Sequence, residues 1–285
     1  GSVITIKAGE SVGTVVVDTP ANDVYNNGST VSTTITGATG GNFENLVPST
    51  TPAVTTITDS IDTTTVSLTA TNTVTEGGQI TYTATLTNPA QTPVTVTLSD
   101  GSVITIKAGE SVGSVVVDTP PNDVYVNGST VSTTITGATG GNFENLVPNT
   151  TPAVTTITDS IDTTTVTLTA PSEANEGGQI TYTATLSNKA GTDVTLKLDN
   201  GSSITIKAGD TVGTVTVPAP SDDVFIDKST QTVKITDTAG GNFEKLEVAG
   251  DGATTTINDT IDKVDVVLTA TTTVGEGGNI VYTAS

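Results

Sequence analysis

TTTVSLTATNTVTEGGQITYTATL, residues 63–86, decides the fold. Val66, Leu68 and Ala70 alternate with Ser and Thr, and after Glu76-Gly77-Gly78 the alternation resumes as Ile80, Tyr82, Ala84 and Leu86. A period of two sends one row of side chains into a core and the other into water, the pattern of half-buried strands. Thr occupies most outward positions, where a β-branched polar side chain favours extended backbone without adding charge. Reading outward from this stretch, strand A covers Thr64–Ala70, B Gln79–Leu86, C Val94–Leu98 and D Ser102–Ile106. Strand E then covers Val112–Val117, F Thr130–Thr136 and G Val154–Thr158. Asp100-Gly101 between C and D is a two-residue hairpin signal. No window has a helical period. Seven short alternating strands in about 100 residues predict an all-β fold of the immunoglobulin-like, Greek-key sandwich type.

The same pattern repeats. GSVITIKAGE starts at Gly1 and Gly101, and GSSITIKAGD at Gly201, a period of 100 residues. Residues 1–62 and 101–162 differ only at Thr14/Ser114, Ala21/Pro121, Asn26/Val126 and Ser49/Asn149. A period of this length is a whole module rather than a solenoid turn. Boundaries near Asp62, Asp162 and Asp262 predict complete modules at 62–161 and 162–261, arranged end to end. Residues 1–61 then hold strands D to G of a preceding module, and 262–285 strands A and B of a following one. Such ragged ends read as a piece of a longer array.

The chain carries 30 acidic against 9 basic residues, a net charge of −21. That field disfavours nucleic acid and anionic membrane surfaces as partners. No stretch approaches 18 consecutive apolar residues, so no membrane insertion is expected. Cys, His, Met and Trp are absent, which removes thiolate and imidazole metal sites and the Cys or Ser–His nucleophile arrangements. Cores must be built from Val, Ile, Leu and Ala, and are correspondingly thin.

Antiparallel reversal places the A–B, C–D and E–F loops and the end of G at one downstream pole. The acids gather in those places: Glu76 in A–B, Asp100 in C–D, Asp118 and Asp123 in E–F, Asp159 after G, and Asp162 opening the next module. The next copy offers Glu176, Asp222, Asp223, Asp259 and Asp262, and the first Asp23, Asp59 and Asp62. Several carboxylates at one pole repel unless a cation lies among them, and oxygen donors without His or Cys select Ca²⁺. Asp100 is equally a plain turn residue, and Pro218 replaces Asp118 in the third copy. The chain contains neither a DxDxDG loop nor a GGxGxDxUx nonapeptide. Tyr82, Tyr182 and Tyr282 share parity with core aliphatics, and Phe143 with Leu146, and Phe243 with Leu246, read as plugs anchoring a long F–G loop. Acids recurring at a junction without a cleft-forming insertion argue against catalysis.

The strings TVSLTATNTVTEGGQITYTATLTN, VVVDTPPNDVYVNGS, GGNFENL and ITDSID resemble the extender repeats of large bacterial biofilm adhesins, of the LapA type within the type I-secreted RTX adhesins. A looser similarity links them to Calx-β and cadherin-like modules, which bind Ca²⁺ at a domain end. By position this implies Glu76, Asp123, Asp159, Asp162 and their equivalents as ligands. The resemblance implies a secreted structural spacer on the bacterial cell surface, Ca²⁺-rigidified, projecting adhesive domains for attachment and biofilm formation. A rival reading makes each repeat a binding module for a glycan, a matrix polymer or a neighbouring adhesin. The expected partners are neighbouring repeats of the same chain in a monomeric rod, with weak self-association through the incomplete terminal modules.

Overall fold

The computed structural model describes residues 1–285, all strand, turn and loop. Two compact units divide the chain: Gly1–Pro121 with Gly128–Thr158, and Asn122–Asn127 with Asp159–Ser285. The first unit opens with β1 (Ser29–Thr33) and β2 (Ala53–Ile57), which pair antiparallel. They are the counterparts of F and G. The stretches 2–6 and 12–17, read as D and E, form no ladder, because within a complete repeat their partners are strands C and B.

The complete repeat of this unit contains β3 (Thr63–Ala70), β4 (Thr73–Thr75), β5 (Gln79–Leu86), β6 (Val94–Leu98) and β7 (Val103–Ile106). It continues through β8 (Val112–Asp118), β9 (Ser129–Thr133), β10 (Ile135–Gly140), β11 (Asn145–Pro148) and β12 (Ala153–Thr158). One sheet has the order β11-β3-β5-β8; facing it are β10-β6-β7 and β4-β12-β9, with β9 and β10 separated by Thr134 alone. Strands A, B and E thus lie in one layer and C, D, F and G in the other, an immunoglobulin-like sandwich in which strand D pairs with C instead of joining the A–B–E sheet. Two pairings are parallel, β11 with β3 and β4 with β12. The core is the alternating inward row: Val66, Ile80, Tyr82, Ala84, Val94, Val96, Ile104, Ile106 and Ile157 are all buried.

The second unit repeats this plan. Its strands are β13 (Thr163–Thr169), β14 (Glu173–Asn175), β15 (Gln179–Leu186), β16 (Val194–Leu198) and β17 (Ser203–Ile206). They are followed by β18 (Val212–Pro218), β19 (Ser229–Val233), β20 (Ile235–Gly240), β21 (Lys245–Ala249) and β22 (Ala253–Asn258). Beyond them β23 (Leu268–Ala270) pairs antiparallel with β24 (Tyr282–Ala284). Val124 and Tyr125, from the 122–127 segment, pack on this unit's core.

Candidate functional site

In each repeat the connection from the last residue of strand E to strand F is a loop whose shape comes from one aspartate. Asp23 Oδ1 accepts the Tyr25 backbone N–H (2.8 Å) and its Oδ2 the Asn27 side-chain amide (2.8 Å). Asp123 repeats both bonds, with Tyr125 (2.7 Å) and Asn127 (2.9 Å). These are side-chain-to-backbone turns of the kind Asp favours. The residue after strand G closes the same loop: Asp59 Oδ2 accepts the Asn27 and Gly28 N–H groups (3.0 and 2.9 Å), and Asp159 accepts Asn127 N–H (3.2 Å).

The third copy changes the loop. Asp223 still accepts the Phe225 N–H (2.7 Å), but Asp227 stands where Asn27 and Asn127 stood. An amide donor is replaced by a carboxylate. The Glu176 loop is sewn to the same place, its N–H bonded to the Asn258 carbonyl (3.1 Å) and the Gly177 N–H to Pro220 (2.7 Å). Carboxylate oxygens of Glu176, Asp227 and Asp259 consequently all lie within 4.8 Å of one another. Glu176 is 9% exposed, and its Oε2 and the Asp259 Oδ1 are buried without a hydrogen-bond partner. The Glu176 carboxyl is pushed up from 4.5 to about 7, first by sharing a proton with Asp227, then by burial and the charges of Asp227, Asp259 and Asp223. A crowded set of oxygen donors with two orphaned buried oxygens suits a hard divalent cation and no soft metal.

The other expected acids are placed differently. Asp62 Oδ2 accepts the Asn22 amide (2.6 Å) and the Ser60 hydroxyl (3.1 Å), and Asp162 likewise takes Asn122 (2.6 Å) and Ser160 (3.2 Å). Their backbone N–H groups are held by Glu144 (2.7 Å) and Glu244 (2.6 Å), two residues that the sequence reading passed over. Asp262 is exposed, and Asp222 accepts the Thr260 hydroxyl. Glu76 is buried, its N–H bonded to the Thr158 carbonyl (3.0 Å). Asp100 accepts the Ser102 N–H (2.9 Å) and hydroxyl (2.6 Å) at the β6–β7 turn, and Asp118 the Gln79 amide (2.9 Å). Asp227 was also missed; the signal was the Asn27/Asn127/Asp227 exchange between copies.

A second feature joins the 22–27 and 122–127 segments to the F–G hairpins. Tyr25 stacks on Phe143 (centroids 5.6 Å, planes 25° apart) and Tyr125 on Phe243 (5.8 Å, 20°). Each pair is an isolated antiparallel bridge. The Tyr25 hydroxyl donates to the Pro89 carbonyl and that of Tyr125 to Lys189, both at 2.7 Å. The residues read as plugs of a loop are therefore half of an interlocking pair, and the stretch after Phe143 is not loop but β11.

No curated protein matches the chain. Among solved structures, one described as the crystal structure of a tetra-tandem repeat in the extending region of a large adhesion protein aligns with 82% of this chain at 14% identity and a TM-score of 0.29. The chain spans 65% of that structure's length. The model of the LapA domain family matches residues 1–60, 62–160 and 162–260. With most of its length covered by three successive matches, the chain belongs to the LapA domain family.

Proposed function

We propose that the chain is part of the extender region of a secreted bacterial surface adhesin, a spacer stiffened by Ca²⁺ that carries adhesive domains away from the cell for attachment and biofilm formation. The observation that carries this reading is the way one repeat is built into the next inside the first unit. Residues 24–26 bond to 142–144 through Asn26 N–H to the Asn142 carbonyl and Glu144 N–H to the Val24 carbonyl, both 3.0 Å, with the Tyr25–Phe143 stack between them. Ordered joints between like modules suit a part that sets length. The concave site lined by Leu168, Lys234, Ile235 and residues 248–252 holds only about 120 Å³, below the ~300 Å³ typical of small-molecule sites.

The cation part of the proposal rests on Glu176, Asp227 and Asp259, with Asp223 close enough to raise the Glu176 carboxyl. Ca²⁺ held there neutralises charges that otherwise oppose folding. At 100 times its dissociation constant one ion adds about 2.7 kcal/mol, on the order of 10 °C for a module of about 100 residues. Thermal unfolding of the chain in millimolar Ca²⁺ and in chelator tests this. Superimposable melts would remove the cation, and a scattering-derived maximum dimension that fails to grow by a constant step per added repeat would remove the spacer.

A further inference from the structure

We propose that Asn127, with its counterpart Asn27, is a site of slow hydrolytic modification that turns the amide into a carboxylate, giving these loops the charge that the third copy encodes as Asp227. Both asparagines precede glycine, as Asn27-Gly28 and Asn127-Gly128, whereas the third copy reads Asp227-Lys228. In Asn-Gly the following backbone nitrogen reaches the side-chain carbonyl most freely, because glycine has no β-carbon to crowd or restrict the approach. The third copy lacks both halves of that chemistry and already carries the product. Asn127 belongs to the complete repeat 62–161 and is followed by another, so it is an internal position of the array.

The reaction balances with water as its only co-reactant. The Gly128 nitrogen attacks Asn127 Cγ and closes a succinimide ring; the Cγ–Nδ2 bond breaks, and ammonia leaves with the proton that the attacking nitrogen gave up. Water then opens the ring at either carbonyl, leaving aspartate or isoaspartate. The loop supplies acceptors for the groups that change. In the first copy the Gly28 N–H, whose proton must go, lies 2.9 Å from Asp59 Oδ2, within reach of a base. In the second, Asp159 stands in the equivalent place, 3.2 Å from the Asn127 N–H. The leaving amide donates to Asp23 (2.8 Å) or Asp123 (2.9 Å). Both asparagines are exposed, so water reaches the ring.

Another Asn-Gly in the chain makes the contrast. Asn200-Gly201 sits in the tight β16–β17 turn, where the Gly201 N–H is bonded to the Leu198 carbonyl (3.1 Å) and the Leu198 N–H to Ser202 (2.9 Å). Asn200 Oδ1 takes the Ser202 N–H (3.0 Å) and hydroxyl (2.7 Å). Ring closure there must break a turn clamped between paired strands, and the attacking nitrogen faces a carbonyl, which is no base. Residues 119–128, by contrast, lie outside the strand ladders apart from the Tyr125 bridge. Modification removes the amide bond to Asp123 and sets a third carboxylate beside Asp123 and Asp159. Like charges then loosen the loop that holds Tyr125 on Phe243. The inference does not depend on a cation.

The test is to incubate the intact chain, warm and mildly alkaline in chelator, and to map its peptides by mass spectrometry. Those covering 27 and 127 are told apart by Ala21/Pro121 and Asn26/Val126. Conversion of amide to acid, with isoaspartate, is expected at Asn127 roughly five-fold faster or more than at Asn200, whose turn must open first. In denaturant, where the dipeptide alone matters, the two rates are expected to converge. Gly128→Lys, the residue of the third copy, is expected to slow conversion of Asn127 by roughly ten-fold or more and to leave Asn200 unchanged. Equal rates at 127 and 200 in the folded chain, or a folded Asn127 that stays intact while the denatured chain converts, would overturn the proposal. The product made directly, Asn127→Asp, is expected to lower the unfolding midpoint of the second unit in chelator. An unchanged midpoint would overturn the loosening.

Discussion

Tyr82 and Tyr182 occupy equivalent positions in the two cores, each buried, yet their hydroxyls meet different fates. The Tyr82 hydroxyl lies 2.8 Å from Thr133 Oγ1, both buried. In the next copy Val233 replaces that threonine, and the Tyr182 hydroxyl is buried with no partner, its ionisation pushed up chiefly by burial. Tyr82→Phe leaves a threonine hydroxyl stranded and is expected to cost about 1–3 kcal/mol, whereas Tyr182→Phe removes an unsatisfied group and is neutral or stabilising. Denaturant midpoints of the two variants decide the matter; equal losses would contradict it. Glu176 makes a pH prediction. Its folded value near 7 lies above its ordinary 4.5, so between those values the folded chain holds more protons than the unfolded one. The contribution of Glu176 to the stability of the second unit without divalent ions is therefore full below about 4.5, falls as pH rises toward 7, and is lost above it. Melts in chelator across that window are expected to show the decline, and Glu176→Gln to flatten it.

At the level of the strand, the alternation of Val, Ile and Thr made the seven main elements readable, with ends within a few residues. What escaped were pieces without alternation. β4 and β11 are short and pair in parallel with partners distant in the chain, so nothing local announces them. Strand F runs on past Thr134, where Ser99 in the turn after β6 takes both backbone groups, a contact distant in the chain. Glycine marks one place where elements cross too closely for a side chain. At Gly113, near the start of β8, an added Cβ would sit 2.7 Å from the Thr105 carbonyl oxygen and 3.0 Å from Ile104 and Ile106. Gly213 repeats this in the second unit. Gly113→Ala is expected to destabilise the first unit by about 1–3 kcal/mol through overpacking, lowering its melting midpoint while leaving that of the second unit in place.

For the molecule as a whole, the period of 100 residues was plain, and so was the concentration of acids in a few loops. Which acids meet was not. Asp62 and Asp162 each turn Oδ2 to Asn and Ser neighbours, whereas Asp227 joins Glu176 and Asp259 through one exchange that only comparison of the copies exposes. The interlocking of tyrosine and phenylalanine was equally hidden, since a residue's partner 118 positions away leaves no local periodicity.

The parallel pairing of β4 with β12 has a mechanical meaning. These are strands near the beginning and the end of the complete repeat in the first unit, bonded side by side through Thr73–Thr75 and Thr156–Thr158. Tension applied to the two ends of that repeat drags them in opposite senses along their own length. Their bonds are then loaded in shear and must yield together instead of peeling one at a time.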